Sequence, residues 1–106
     1  MCEVVNTIKN VIVDDIVFEW DDEKNEINKR KHGISFEVAL YVFADENRLE
    51  EYDEKHSDEE DRYISIGFVN GVLVVVHTDR ENAIRIISAR PADKRERRKY
   101  YGQSGD

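Results

Sequence analysis

The apolar positions of this chain come in short runs whose period changes along its length. Residues 63–69 alternate, with Ile64, Ile66 and Phe68 on one parity and Tyr63, Ser65 and Gly67 on the other. That is the period of a half-buried strand. Residues 72–78 are almost wholly apolar, as expected of a central strand covered on both faces. Asn70-Gly71 stands between them, the preferred pair for a two-residue hairpin turn because both positions take positive φ. A second turn over Asp79-Arg80-Glu81-Asn82 leads into a third strand, 83–90, ended by Pro91. Asp93, followed three residues later by Glu96, has the form of a capping box and opens a basic terminal helix.

Upstream, Val17-Phe18-Glu19-Trp20 reads as a short strand closed by Asp21-Asp22, whose carboxylates suit a helix N-terminus. That helix is expected to run to about Lys31, with His32 closing it and Gly33 in the left-handed position. Ile27 is its one aliphatic residue, so it should lie flat on the surface. Ser35 can cap a second helix that places Phe36, Ala39, Leu40 and Phe43 at helical spacing, a stronger core face. An edge strand is expected around residues 48–52, then a charged loop. Residues 1–16 form a leader for which strand and helix both stay open. Residues 17–102 read as one domain, and 103–106 as a disordered tail.

The turns fix an expected register. With a two-residue first loop, Val69 faces Val72, so Phe68, Ile66 and Ile64 face Leu73, Val75 and His77. With a four-residue second turn, Thr78 faces Ala83, so His77, Val75 and Leu73 face Ile84, Ile86 and Ser88. These residues collect on one face, the side for the helices. The other face is mixed and carries Tyr63, Ser65, Gly67, Val74, Val76, Thr78, Arg85, Ile87 and Ala89, while Arg90 falls on the helix-side parity.

Composition narrows the class without naming a function. A chain of 106 residues supports one domain with a modest core. The longest apolar run is far short of the roughly 18 residues that a membrane span requires. The first residues lack a basic segment ahead of an apolar one, so no signal peptide is expected and the cytoplasm is the expected location. Cys2 is the single cysteine, which leaves no internal disulfide and no thiol metal site. The formal net charge of −8 argues against simple affinity for nucleic acid. It hides an asymmetry, however. Residues 45–62 carry ten carboxylates against three cations, and residues 80–99 carry eight cations against three carboxylates. The blocks could dock a polyanion at one end, or answer each other within the fold or across an interface.

Taken in order, several segments form a recognisable series. They are Phe18-Glu19-Trp20-Asp21, then Lys31-His32-Gly33-Ile34-Ser35-Phe36 with Ala39 and Phe43, then Arg62 and Gly67. Val74-Val75-Val76-His77-Thr78 with Arg80 follows, and finally Arg85-Ile86-Ile87-Ser88-Ala89-Arg90. Together they resemble the BrnT family, the toxin half of a bacterial type II toxin–antitoxin pair, over residues 17–101. The resemblance implies an α+β, RelE-like fold: two N-terminal helices on a small antiparallel sheet, with a C-terminal helix. It implies a metal-independent endoribonuclease that arrests translation, needs no cofactor, and is neutralised by a BrnA-like antitoxin. DNA would be reached only through that antitoxin.

Metal-free RNA cleavage needs a group to take the 2′-hydroxyl proton, a proton for the departing 5′-oxygen, and cations for the phosphorane. Arginine suits the last role, being permanently charged with a planar fork that matches phosphate. Arg85 stands mid-strand on the mixed face, with Arg80 in the adjacent turn and Arg62 at the entry of a neighbouring strand. These three are the expected catalytic cations; the bland alternative pairs them with Glu59, Glu60 and Glu81. Lys31, Tyr63, Arg95, Arg98, Lys99 and Tyr100 are expected substrate contacts, Tyr100 and Tyr101 by base stacking. The histidines give no clear base. His32 has a cap role, His77 falls on the packed face, and His56 reads as part of a solvated acidic loop. A catalytically inactive module of the same fold, serving as antitoxin partner or co-repressor, is the alternative reading. A structural protein whose acidic loop binds a basic partner is a third.

Overall fold

The computed structural model describes residues 7–56 and 60–102. Cys2, Asp58, Glu59 and the expected tail therefore lie outside the described residues. Six strands form one sheet: β1 (Ile8–Val13), β2 (Ile16–Asp21), β3 (Leu49–Tyr52), β4 (Tyr63–Phe68), β5 (Val72–Arg80) and β6 (Ala83–Pro91). Their order is β1-β2-β6-β5-β4-β3, antiparallel throughout except for the parallel pair β2–β6. The helices are α1 (Asp22–His32), α2 (Phe36–Ala39) with a 3-10 turn at Leu40–Ala44 continuing it, and α3 (Lys94–Gly102). The architecture is α+β, and the sheet is larger than the small one expected. Part of the excess is β1, which lies in the segment where the pattern chose no element. Asp14 and Asp15, at φ 50° and 67°, make its two-residue turn into β2. Aspartate tolerates that conformation, but Asp-Asp is a weaker turn signal than Asn-Gly.

The ends of α1 follow the expected chemistry. The Asp21 carboxylate accepts hydrogen bonds from the N–H groups of Glu23 and Lys24 at 2.8 and 3.4 Å. Gly33, at φ 72°, donates its N–H to the Lys29 carbonyl. How the helix docks was not expected. Ile27 is exposed, and the buried contacts are Asn25 and Asn28. Asn25 accepts from the Phe36 N–H at 2.8 Å and donates to Glu37 at 2.9 Å. Asn28 donates to the carbonyls of Ile34 and Ala89 at 2.8 and 2.7 Å and accepts from the Ala89 N–H at 3.2 Å. The reason lies in the sheet. The β2–β6 ladder pairs only Phe18 with Ile84 and Glu19 with Arg85. Beyond it β6 has a bare edge, and Asn28 supplies there the donor and acceptor that a neighbouring strand would supply.

Two registers differ from expectation. Phe68 pairs with Val72, so the first loop holds Val69, Asn70 and Gly71 rather than two residues. The slip of one moves Tyr63, Ser65 and Gly67 to the side of the sheet that α1 and α2 cover, the near face. Gly67 is required there: a Cβ would stand 2.9 Å from Val42 Cγ1 and 3.1 Å from the Val42 carbonyl. The β5–β6 ladder continues to Arg80–Ala83, leaving only Glu81-Asn82 as the turn. A shift of two preserves parity, so Arg85 stays on the far face. A β-bulge follows, with His77 opposite Ile86 and Val76 opposite Ser88, leaving Ile87 unmatched. The extra residue flips the rest of the strand. Ala89 turns to the near face, and Arg90, expected there, turns to the far one.

The core has two parts. On the near face Phe18, Trp20, Leu73, Val75, Ile86 and Ala89 pack against Phe36, Ala39, Leu40 and Val42. On the far face Ile66, Val72 and Val74 pack against Ala92 and Tyr100. The capping box of α3 forms as the sequence suggests. Asp93 Oδ1 accepts from the Glu96 N–H at 2.8 Å, and Glu96 Oε1 accepts from the Asp93 N–H at 2.9 Å. Glu96 also grips Arg90 through both oxygens, at 2.8 and 2.7 Å. No helix among the described residues is long and apolar enough to cross a membrane.

Candidate functional site

The far face collects the arginines. Arg85 and Thr78 are register partners, as are Arg85 and Glu19 across the parallel ladder. Arg85 Nη2 donates to Glu19 Oε2 at 2.8 Å, which fixes the plane of the guanidinium. Its Nε and the hydroxyl of Thr78 are buried without a hydrogen-bond partner among the described residues. Buried polar atoms of this kind usually have partners. Arg80 shares the parity and stands at the rim, its Nη2 3.1 Å from Glu60 Oε1.

Beside this row lies a cleft of about 310 Å³, lined by Asp53, His56, Arg62, Ile64, Val76, Ile87, Ser88 and Arg90. Its floor is sheet and its wall is the turn Glu54–His56. The bulge sets Ile87 and Ser88 side by side there and brings Arg90 into its lining. Arg62 reaches the cleft from the start of β4, and its carbonyl accepts from the Asp53 N–H at 2.8 Å. Arg90 is not a loose cation. The Glu96 carboxylate raises its pKa above the ordinary guanidinium value, and Arg90 in turn holds Glu96 below the usual carboxylate range. The structure thus brings Arg62, Arg80 and Arg85 to one face and adds Arg90 and His56. Arg90 was missed because a bulge leaves no mark in the alternation, and His56 because its neighbours in sequence are acidic.

The expected substrate contacts are scattered. Lys31 is exposed on α1, on the near side of the sheet. Tyr63 is also on the near side, 6.0 Å from the His77 ring and 5.6 Å from Tyr52, centroid to centroid. Burial pushes its phenol up, aided by the nearby Asp61 and Asp79 carboxylates. Tyr100 is buried, which corrects its reading as a stacking surface. Its hydroxyl donates to Asp45 Oδ2 at 2.5 Å. Burial and that carboxylate push its pKa up to about 12. Tyr101 is the exposed ring of the pair, edge-on to Tyr100 at 5.3 Å. Arg98 lines an open groove with Lys94, Arg97 and Tyr101. Arg95 lines another with Lys99, whose Nζ is 2.8 Å from Glu51.

His77 is fully buried on the near face, as its parity suggests. Its Nε2 meets Ser65 Oγ at 2.8 Å and its Nδ1 meets Asp79 Oδ1 at 2.9 Å. Arg48 Nη1 extends the chain, donating to Ser65 Oγ at 2.9 Å and to Glu50 at 2.8 Å. The order Ser–His–Asp imitates a nucleophilic triad, but Ser65 is sealed from solvent and no substrate can meet it. Burial depresses the His77 pKa against the raising effect of Asp79, so the ring is a neutral structural link. Among the described residues no group of three or more His, Cys, Asp or Glu side chains is placed to hold a metal ion.

Residues 20–96 match the model of a family described as ribonuclease toxin, BrnT, of type II toxin–antitoxin system. The fold is similar to that in a 1.1 Å crystal structure of the ribonuclease toxin BrnT from Brucella abortus. The TM-score is 0.52 at 24% identity, covering 71% of this chain and 94% of that one. No curated protein matches.

Proposed function

Since the chain belongs to the BrnT family of ribonuclease toxins, we propose that it is a translation-arresting endoribonuclease whose scissile phosphate sits on the far face of the sheet. The observation that supports the placement is that Arg62, Arg80 and Arg85 share this face, with Arg90 added by the bulge. In the proposed reaction the 2′-oxygen attacks the adjacent phosphorus and the bond to the 5′-oxygen breaks. The products are a 2′,3′-cyclic phosphate and a 5′-hydroxyl. Charge that accumulates on the phosphorane is met by Arg85, held flat by Glu19, with Arg62 and Arg80 beside it. The RNA strand continues along α3, where Arg95, Arg98 and Lys99 track phosphates and Tyr101 offers a stacking ring. Lys31 and Tyr63, across the sheet, serve contacts to more distant nucleotides or to the antitoxin.

The helix arrangement is of the RelE kind, and residues 17–102 act as one domain in the cytosol beside the RNA it cuts. A BrnA-like antitoxin silences it and links the pair to DNA. The test is direct. The purified chain, free of partner and in excess EDTA, should cut RNA and leave cyclic-phosphate ends. Intact RNA beside folded protein would instead identify a binding module. Adding the product of a small neighbouring reading frame should suppress the cutting.

A further inference from the structure

We infer that His56, oriented by Asp53, is the catalytic base that takes the 2′-hydroxyl proton in the far-face cleft. This rests on the ribonuclease reading above and supplies the proton acceptor that the arginines cannot. The two residues bracket the Glu54–His56 turn, which hangs over the cleft. Asp53 is anchored at both ends: its N–H donates to the Arg62 carbonyl at 2.8 Å, and its side chain is only 12% exposed. His56 Nδ1 lies 2.9 Å from Asp53 Oδ2. A carboxylate at that nitrogen holds the proton on Nδ1 and leaves Nε2 as the acceptor. Nε2 has no hydrogen bond to any described residue. The imidazole is 64% exposed, so no packing role accounts for the pairing.

The charged groups facing His56 across the cleft are Arg62, just before β4, and Arg90 from β6, the latter paired through both nitrogens with Glu96 of α3, with Asp53 on its own turn. Arg62 and the imidazole on opposite walls of the cleft supply the cation and the proton acceptor that the step requires. Nε2 takes the 2′-proton as the 2′-oxygen bonds to phosphorus, and the released 5′-oxygen takes a proton from water in the open cleft. Afterwards the imidazolium returns its proton to solvent. Asp53 is a positioning residue, acting through the ring.

The experiment compares wild type, His56→Gln, His56→Ala and Asp53→Asn on a short RNA across pH, with histidine ring resonances followed as cytidine 3′-monophosphate is added. Expected are a fall in kcat of about a hundredfold or more for both His56 variants with little change in KM. The acidic limb of the wild-type pH–rate profile should vanish with them. Asp53→Asn should lower kcat less and move that limb. Cytidine 3′-monophosphate should shift the His56 resonances and leave those of buried His77 in place. Wild-type cleavage with unchanged kcat in the His56 variants would overturn this inference and leave the ribonuclease reading standing. So would an unshifted His56 resonance in the presence of bound nucleotide. Failure of wild type to cleave any RNA would remove both together.

Discussion

Asn28 does for β6 what a seventh strand would do, and no sequence pattern marks it. A polar residue in a polar helix reads as solvent-facing, and only the short β2–β6 ladder makes an asparagine the right partner for Ala89. Replacing Asn28 with Ala strands the N–H and carbonyl of Ala89 and the carbonyl of Ile34. The expected cost is about 3 kcal/mol, measurable by urea unfolding. Arg85 is the opposite case. Its place on the far face was legible, because a lone charge mid-strand has to avoid the packed side. Its partner Glu19 was not, since the parallel pairing joins residues 66 apart. His77 was legible as buried, and it carries a pH signature. Its folded pKa is depressed, so on acidification the unfolded chain binds a proton that the native state refuses. Stability should therefore fall as pH drops below about 6.5, the ordinary histidine value. His77→Asn, whatever its own cost, should flatten that slope in thermal melts taken across the range.

At the level of elements, local signals were dependable and counts of residues in turns were not. Capping chemistry placed the start of α1 and the reciprocal Asp93–Glu96 box of α3 correctly, because both are set by neighbours in sequence. Asn70-Gly71 marked a hairpin but not its length, and a one-residue difference carried Tyr63 and Ser65 to the other face. The bulge at Ile87 was invisible, for it is decided by how β6 must turn to meet both Asn28 and Glu96. For α3, the Tyr100–Asp45 bond is the latch. Tyrosine in the unfolded chain ionises near pH ~10, and Tyr100 is pushed up to about 12. The latch is thus whole below the first value and lost as pH rises through the second. Alkaline titration followed by tyrosinate absorbance should show a late-ionising ring at Tyr100 in addition to the raised Tyr63. Tyr100→Phe should remove it and loosen α3 in hydrogen exchange, while Tyr101→Phe should leave it.

Across the whole molecule the two charge blocks answer each other in part. Arg80 meets Glu60 and Lys99 meets Glu51, so the acidic segment neutralises part of the basic one. The cations in the groove along α3 are Lys94, Arg97 and Arg98, on a chain of net charge −8. An acidic protein can therefore still offer RNA a local track. Exchanging Arg95 and Arg98 for Gln should weaken RNA binding and lower the slope of log affinity against log salt by roughly 1.4, the value for two phosphate contacts on a single strand. Fold and family were readable because an ordered series of segments carried them; the cleft was not, because it is assembled by a bulge, a distant turn and a register shift. The central proposal is that the far-face arginines hold the scissile phosphate. The rate of RNA cleavage in EDTA by wild type and Arg85→Ala, both verified as folded, measures this most directly. A loss of about a hundredfold or more in kcat for Arg85→Ala is predicted, and equal rates would contradict the placement.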